Sequence, residues 1–507
     1  MCHSHDGVSF PQKTREGMLL AGIIATYGLS NDADVQAMLD KVKHRGPDGT
    51  IGFKSGKLVI GETFLSLNPE KNNCCAGGDQ KQNYAALDGR IFNRKQFTDE
   101  NNNFETDGEI ALRLYQEQGP DFLQELDGMF AMVLAVEGGK PFAARDPLGV
   151  KPLYYGYKNG TMYFASEVKA LVGYADDIKF FPPGHYFTPE SGFKRYIDFE
   201  NIKWKEHELD EALGKIRNLM EESVLRQIPR QTVPASLLSG GIDSSIIAAI
   251  TARHVDNLKT FCVGMEGAKD LEAARKVADF IGSQHTQYTY DKKDIQEILP
   301  EVIYYMESFD PSLIRSSVAN YFAYKLVGDN ARVVFSGEGG DELFGGYMYL
   351  KDLEGEERLH QELIGFFDGL HNVGLQRVDR MSMAHSKECR MPFLGMNLLQ
   401  YATTLPPKWK IYGSEKIEKW VLRKAFEGWI PDDVLWRIKQ EFSQGSGTVD
   451  VMDEIAQEQI TDSEFDREKN AINPPLRNKE ELMYYRIFRQ YFDDDSAVAT
   501  VGRWITT

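Results

Sequence analysis

The sequence has little that would tie it to an oxidising compartment, a membrane or nucleic acid. Cysteine is scarce, five in 507 residues: Cys2, Cys74, Cys75, Cys262 and Cys389. They form no CxxC pair and no zinc-type spacing, so reduced thiols in a cytoplasmic protein are the plain reading. No apolar run approaches the ~18 residues of a membrane-spanning helix. The start, Met1 to Val8, lacks the basic and apolar stretches of a signal peptide. Positive charge is in deficit, 58 Lys and Arg against 76 Asp and Glu for a net charge of −18. That argues against a general nucleic-acid binder. Repeats and low-complexity tracts are absent, and so is the GxxxxGK[ST] phosphate loop. Cys2, His3 and His5 are ligand-type residues, but a polar, aperiodic tail over 1–17 is more simply solvated.

What is present is the composition of an ordinary globular chain long enough for two domains or more. Its most informative stretch runs from Pro234 to Ile250. An apolar segment leads into Ser239-Gly240-Gly241-Ile242-Asp243-Ser244, and an apolar-periodic segment leads out. This reads as buried strand, tight loop and helix start. Adjacent glycines let backbone N–H groups approach a ligand, and the helix start adds free N–H groups and a positive dipole end. The result is an anion cradle, most simply for phosphate. Ser239 and Ser244 add hydroxyl donors. A carboxylate beside phosphates repels them unless a cation intervenes, so Asp243 reads as a Mg²⁺ ligand.

Strand and helix patterns then alternate: strands at 259–265, 285–290 and 331–335, helices at 270–281, 295–306 and 319–327, after a helix at 211–224. This predicts a doubly wound parallel sheet with its ligand at the strand C-termini. The strand ending at Phe335 runs into a second loop, residues 336–347 (SGEGGDELFGGY), with five glycines. Asp341 in it completes a two-carboxylate Mg²⁺ site with Asp243. Before residue 200 the pattern is different. Many short strands with turns, a helix over 32–42 and a capped helix from Thr106 suggest a layered α+β domain. The turn at 44–49 is expected to leave Arg45 exposed. A charged stretch at 195–210 sets the boundary, giving domains 1–200 and 201–507.

The loop SGGIDS resembles the pyrophosphate loop of ATP pyrophosphatases. In residues 21–190, the segments HRGPDG, LDGRIFN, TDGEIAL, LDGMFA, RDPLGVKPLYY, ASEVKAL and PPGHY resemble, in this order, the glutaminase domain of class II amidotransferases. With SGEGGDELFGGY, IRSS (314–317), DRMSMA (379–384), ECRMPFL (388–394), WRIKQEFSQG (436–445) and the helix at 482–488, the chain resembles the glutamine-hydrolysing asparagine synthetases. The resemblance implies an Ntn-hydrolase-like α+β sandwich followed by an ATP pyrophosphatase domain, with ATP and Mg²⁺ as cofactors. It also implies that Leu238, Val263, Ser336 and Gly337 contact the adenosine monophosphate portion. Glu338 matches the family's essential glutamate, and Lys439 its catalytic lysine, which would neutralise phosphoryl charge. Arg315 matches the substrate segment and would grip a carboxylate, although a surface ion pair explains it equally well. Glu388 reads as a second acid/base or as a partner for Arg390. Gly395, where the family has Asp, has no assignment.

The departures concern the first domain. Arg45 and Asp107 match residues that hold glutamine. The nucleophilic cysteine is replaced by Ala21, which has neither thiol nor free amine. The oxyanion-hole Asn-Gly is Asp88-Gly89, an acidic acceptor where negative charge would develop, and the glutamate after it is Arg90. Cys2 could become N-terminal, yet lies well upstream of the matching strand. The expected function is therefore an amide-forming ligase that adenylates a carboxylate, most simply that of aspartate, and is attacked by ammonia. The alternative is a specialised relative, like β-lactam synthetases or lasso-peptide cyclases, that couples another or an intramolecular amine. A non-enzymatic nucleotide-binding scaffold does not fit the intact Asp243, Asp341, Glu338 and Lys439, and a tRNA-modifying enzyme fits neither the amidotransferase-like domain nor the acidity nor the absence of thiol motifs. Partners are small molecules, without nucleic acid or membrane, and a homodimer is left open.

Overall fold

The structure is a computed structural model that describes residues 18–29, 32–67, 83–98, 106–136, 138–439 and 447–503. Cys2, His3, His5, Cys74 and Cys75, and residues 440–446 of the segment after Lys439, lie outside these. The chain divides into two compact units, residues 1–198 with 492–500, and residues 199–491 with 501–507. No helix among the described residues is long and apolar enough to cross a membrane.

The first unit is a sandwich of antiparallel sheets. One sheet has six strands in the order β2 (Gly49–Ser55), β3 (Leu58–Ser66), β1 (Met18–Tyr27), β8 (Thr161–Ala165), β7 (Tyr154–Lys158), β9 (Asp176–Phe180). The other has five: β11 (Gly192–Arg195), β10 (His185–Thr188), β6 (Lys140–Arg145), β5 (Gly128–Val136), β4 (Tyr84–Ile91). Alternate side chains from both, including Ile23, Ile60, Ala86, Val133 and Phe164, form the core between them. Helix α1 (Asp32–Lys41) packs on the first sheet at Gly61, where a Cβ would lie 2.6 Å from a Leu39 methyl. Helix α2 (Asp107–Gln118) covers the second sheet with Ile110, Ala111 and Leu114. Its start is fixed by a capping box, Thr106 with Glu109. These four layers are the expected α+β sandwich.

The second unit is built on a five-stranded parallel sheet, in the order β14 (Gln284–Thr289), β13 (Lys259–Gly264), β12 (Ala235–Leu237), β15 (Val333–Phe335), β16 (Glu388–Arg390). The strand order reverses between β12 and β15. Loops leaving two adjacent strands there in opposite directions open a crevice at their C-terminal ends. Helices α4 (Leu209–Gln227), α5 (Ile242–Ala252), α6 (Lys269–Ile281), α7 (Lys292–Met306) and α8 (Pro311–Val327) link and flank the strands. Helix α8 starts eight residues before the expected 319, because Asp310 caps the N–H of Leu313 at 3.1 Å and Pro311 stands at the first helical position. Arg315 is therefore on a helix.

Candidate active site

The first loop follows β12. The Leu238 N–H donates to the Phe261 carbonyl (2.9 Å), which keeps the chain in the sheet until the turn. Gly240 has φ +69°, and a Cβ there would lie 2.6 Å from the Ala274 nitrogen, so glycine is required on both counts. The Ser239 and Ser244 hydroxyls are 3.1 Å apart, and the Gly241 N–H leans toward Ser239 Oγ at 3.4 Å. Helix α5 opens at Ile242 with no side-chain cap. Its first N–H groups are thus left for a ligand, beside the serine hydroxyls.

The second loop follows β15 and lies directly on the first. A Cβ at Gly337 would be 2.6 Å from the Ser244 nitrogen, and one at Gly340 would be 2.3 Å from Asp243 Oδ1. Gly337 is thus needed for backbone-to-backbone approach, and Gly340 leaves room for the Asp243 carboxylate. The approach brings Asp243 and Asp341 together. Lys419 Nζ stands between them, 2.5 Å from each carboxylate, and Lys439 pairs with Asp341 from the other side. Lys419 is fully buried, and sequence reasoning missed it. It sits after a two-strand hairpin in the left-handed region, φ 56°, with no motif around it. Burial pushes the Asp243 carboxyl up, against Lys419, with Asp341 adding to the rise. Burial works the same way on Asp341, but Lys419 and Lys439 outweigh it and hold the group well below the usual range. Burial lowers Lys419 and the two carboxylates raise it, for a net rise.

The remaining oxygen of Asp243, Oδ1, is buried without a hydrogen-bond partner. Two facing carboxylates with an unsatisfied oxygen are a fit donor set for a hard divalent cation that takes its other ligands from phosphate and water. Among the described residues no group of three or more His, Cys, Asp or Glu forms an all-protein metal site.

Around these loops lies one cleft of about 1060 Å³. Leu238, Val263, Ser239–Ser244, Ser336, Gly337, Glu338, Asp341, Arg315 and Lys439 all line it, so the structure gathers these predicted residues from distant stretches of the chain. Glu338 receives Arg377 Nη2 on both oxygens, at 2.8 and 3.0 Å. Gly374 makes room for it, since a Cβ there would fall 2.1 Å from Glu338 Oε1. Burial, with Glu338 and Asp341 nearby, pushes Glu342 up to about 7, and the Tyr347 hydroxyl donates to it at 2.5 Å. Arg315 is committed to Glu480 through Nε (2.8 Å) and Nη2. Of the two readings of Glu388, the structure shows the partner for Arg390: it is buried in β16, receives Arg390 Nε at 2.5 Å and is not part of the cleft lining.

The first unit brings the expected glutamine-site residues together in another state. Arg45 is not exposed but wholly buried. Its Nε donates to the Ala21 carbonyl, Nη1 to Glu167 (2.9 Å) and Nη2 to Asp88 (2.9 Å). Asp88 also accepts from Ser166 (3.2 Å) and faces Lys151 Nζ at 3.5 Å. Gly89 has φ +120°, and a Cβ would strike the Met129 carbonyl. Asp107 accepts from the Ile91 N–H (3.1 Å) and is flanked by Arg90 (3.5 Å) and Arg94 (3.4 Å). Both residues that resemble glutamine-holding groups therefore carry internal counter-ions.

Comparison with known proteins places both units. The asparagine synthase family model matches residues 215–355 and 351–504, and the glutamine amidotransferase domain model matches residues 20–194. A probable glutamine-hydrolysing asparagine synthetase of Dictyostelium discoideum is 32% identical over 96% of this chain and 96% of its own. The chain belongs to the asparagine synthetase family. Other members are similarly close: asparagine synthetase 2 of Arabidopsis thaliana is 32% identical over 95% of this chain and 89% of its own. A probable asparagine synthetase of Schizosaccharomyces pombe is 33% identical over 96% of both. Membership in this ligase family accords with the two-loop cleft of the second unit.

Proposed function

We propose that the protein is an ATP-dependent amide-forming ligase that activates a carboxylate as its acyl-adenylate and passes the acyl group to ammonia. The carrying observation is the cleft in which Asp243 and Asp341 face each other across Lys419, with Glu338 on the loop of Asp341 and Lys439 reaching Asp341 from a separate segment. The domains are taken as 1–200, glutaminase-like, and 201–507, the ligase. In this reading the adenosine lies against Leu238, Val263, Ser336 and Gly337. The phosphates sit on the α5 N–H groups and the Ser239 and Ser244 hydroxyls. The substrate carboxylate oxygen bonds to the α-phosphorus as the bond to the bridging oxygen of the leaving pyrophosphate breaks. Lys439 and Lys419 meet the negative charge that develops there, fixed in place before the reaction. Ammonia then bonds to the acyl carbon, adenosine monophosphate leaves, and the surplus proton is released. Asp243 and Asp341 would hold Mg²⁺, which supplies charge neutralisation for the pyrophosphate. Glu338, oriented by Arg377, faces the acyl end. The relatives' names point to aspartate as the simplest carboxylate.

Ammonia is preferred to glutamine because Ala21 offers no nucleophile and because Asp88 and Glu167 already occupy Arg45. The test supplies ATP, Mg²⁺ and aspartate with either ammonium or glutamine, and follows pyrophosphate and asparagine. Asparagine with ammonium alone is the expected result. Asparagine from glutamine would overturn the ammonia assignment, and pyrophosphate release unaffected by Lys439→Ala would overturn the site.

A further inference from the structure

A lysine head sits on a flexible four-carbon stem, so it meets developing charge well only if its backbone is fixed beforehand. Lys439 has no element of its own to fix it. It follows the short helix Asp432–Leu435, and residues 437–439 belong to neither a helix nor a strand. What holds this segment comes from another stretch of the chain. The hairpin of β17 (Ile411–Tyr412) and β18 (Ile417–Glu418) ends on Glu418, which is buried and is not part of the cleft lining. Glu418 Oε1 accepts the backbone N–H of Lys439 at 3.1 Å. The same oxygen accepts Arg423 Nη2 at 2.7 Å, and Oε2 accepts Lys351 Nζ at 2.7 Å.

Arg423 completes the device from the helix Trp420–Ala425. Its Nε donates to the Glu418 carbonyl at 2.8 Å. Its Nη1 donates to the Leu435 carbonyl and, at 3.1 Å, to the Arg437 carbonyl. The backbone of residues 435, 437 and 439 is thus tied, at every second position, to one buried ion pair. The Arg437 side chain adds an anchor on α6, where Nη2 reaches Asp270 at 2.8 Å.

The residue types suit this use. Glu418 meets three donors and no acceptor, which an ionised carboxylate matches and an amide does not. A buried ion pair is a poor choice for stability alone, since a well-packed apolar pair of similar volume holds a hairpin as well. An apolar pair has no hydrogen bonds to give to a neighbouring backbone, and that is where the spare bonds of this pair go. Lys419, the residue after Glu418, is already fixed between Asp243 and Asp341. The contribution of the pair therefore falls on Lys439.

We infer that Glu418 and Arg423 are positioning residues that act through Lys439. They hold residues 435–439 so that the Lys439 ammonium stands at Asp341, where the pyrophosphate departs, before the reaction begins. The inference rests on the proposed role of Lys439 and adds the two residues on which that role depends.

The experiment is aspartate-dependent exchange of labelled pyrophosphate into ATP by the full chain with Mg²⁺, with melting temperatures recorded alongside. Glu418→Ala should lower kcat for exchange at least about 10-fold, as expected when a charged group is displaced by a fraction of an ångström. The KM for ATP should stay within about threefold, because the glycine-rich loops are untouched. Glu418→Gln should recover kcat to within about threefold of the parent. Its carbonyl oxygen still receives Lys439 and Arg423 while its amide turns toward Lys351. Should Glu418→Ala fail to fold, Arg423→Lys carries the test. The amine can still pair with Glu418 but cannot reach both carbonyls, so kcat should again fall about 10-fold at a steady KM. Parent-like kcat in Glu418→Ala or Arg423→Lys overturns the inference. So does a KM for ATP that rises in step with the fall in kcat, which marks a general distortion of the cleft. A glutamine variant as slow as the alanine variant overturns it too. Lys439→Ala is run beside them. If it is slow while the Glu418 and Arg423 variants are not, the positioning inference alone fails. If it exchanges at the parent rate, or if the parent shows no exchange, the proposed site fails and the inference falls with it.

Discussion

Lys419 shows how one unheralded side chain sets the electrostatics of the whole cleft. Two carboxylates brought face to face repel, and desolvation adds to the cost. An ammonium buried between them and in contact with each offsets both effects. Replacing it with methionine should therefore do more than remove a cation. We expect Lys419→Met to lower stability by about 3–5 kcal/mol, the usual cost of leaving buried charge uncompensated. Lys439, still beside Asp341, keeps the loss toward the lower end. Chemical denaturation checks this, and a change under about 1 kcal/mol would show that the aspartates find another partner. Arg45 makes the same point in the first unit. The resemblance alone matches it to a ligand-holding arginine, while the fold supplies Asp88 and Glu167 as its partners. Residue type, readable from the sequence, names the chemistry available. Whether that chemistry is free depends on neighbours from 43 and 122 positions away.

At the scale of the element, the two glycine-rich loops and helix α10 (Glu356–Gly369) use glycine for opposite reasons. In the first loop Gly240 combines a left-handed φ with a close approach to α6. Gly240→Ala should strain the turn, move the N–H groups of α5 and weaken nucleotide binding by about 10-fold or more, as calorimetric titration with ATP·Mg would report. Gly365 has an ordinary helical backbone and open space around it. Gly365→Ala should stabilise the protein by roughly 0.5–1 kcal/mol through helix propensity alone. A loss of stability there would mean that the position is more crowded than its geometry says. The first kind of glycine is legible in the sequence, because paired glycines between a strand pattern and a helix pattern have few other uses. The second is not, because a glycine inside a helix gives no sign of facing a cavity.

For the molecule as a whole, buried titratable groups predict opposite pH responses from the two units. In the first, burial pushes Glu62 up to about 8, against hydrogen bonds from Tyr84 and the Leu87 N–H. The folded state then keeps a proton that the unfolded chain releases above its ordinary value near 4.5. That contribution is complete below this value and is lost as pH rises through about 8. In the second unit, burial lowers His285 and His385 to about 4. Both stay neutral when folded, and the unfolded chain takes up their protons below about 6.5. Their contribution is complete above that value and is lost as pH falls through about 4. Calorimetry from pH 4 to 9 should find a low-pH loss that His385→Gln reduces and a high-pH loss that Glu62→Gln reduces. Equal slopes in parent and variants would remove these groups as the cause.

The sequence by itself determined the two kinds of architecture and the residue types that the two glycine-rich loops bring to the cleft. Strand-turn periodicity, alternating strand and helix patterns and two glycine-acid loops are local features, and local patterning is what a chain encodes most directly. It also carried Glu338, Asp243, Asp341 and Lys439 as a matched set. Tertiary structure alone decided which of these residues touch. It put Lys419 between the aspartates, closed Arg315 onto Glu480, hid Arg45 among carboxylates and set Glu388 into a strand beside Arg390. Apart from the Glu388–Arg390 pair, each of these is a contact between stretches far apart in the chain. Their energy lies in desolvation and pairing, which no single stretch of sequence displays.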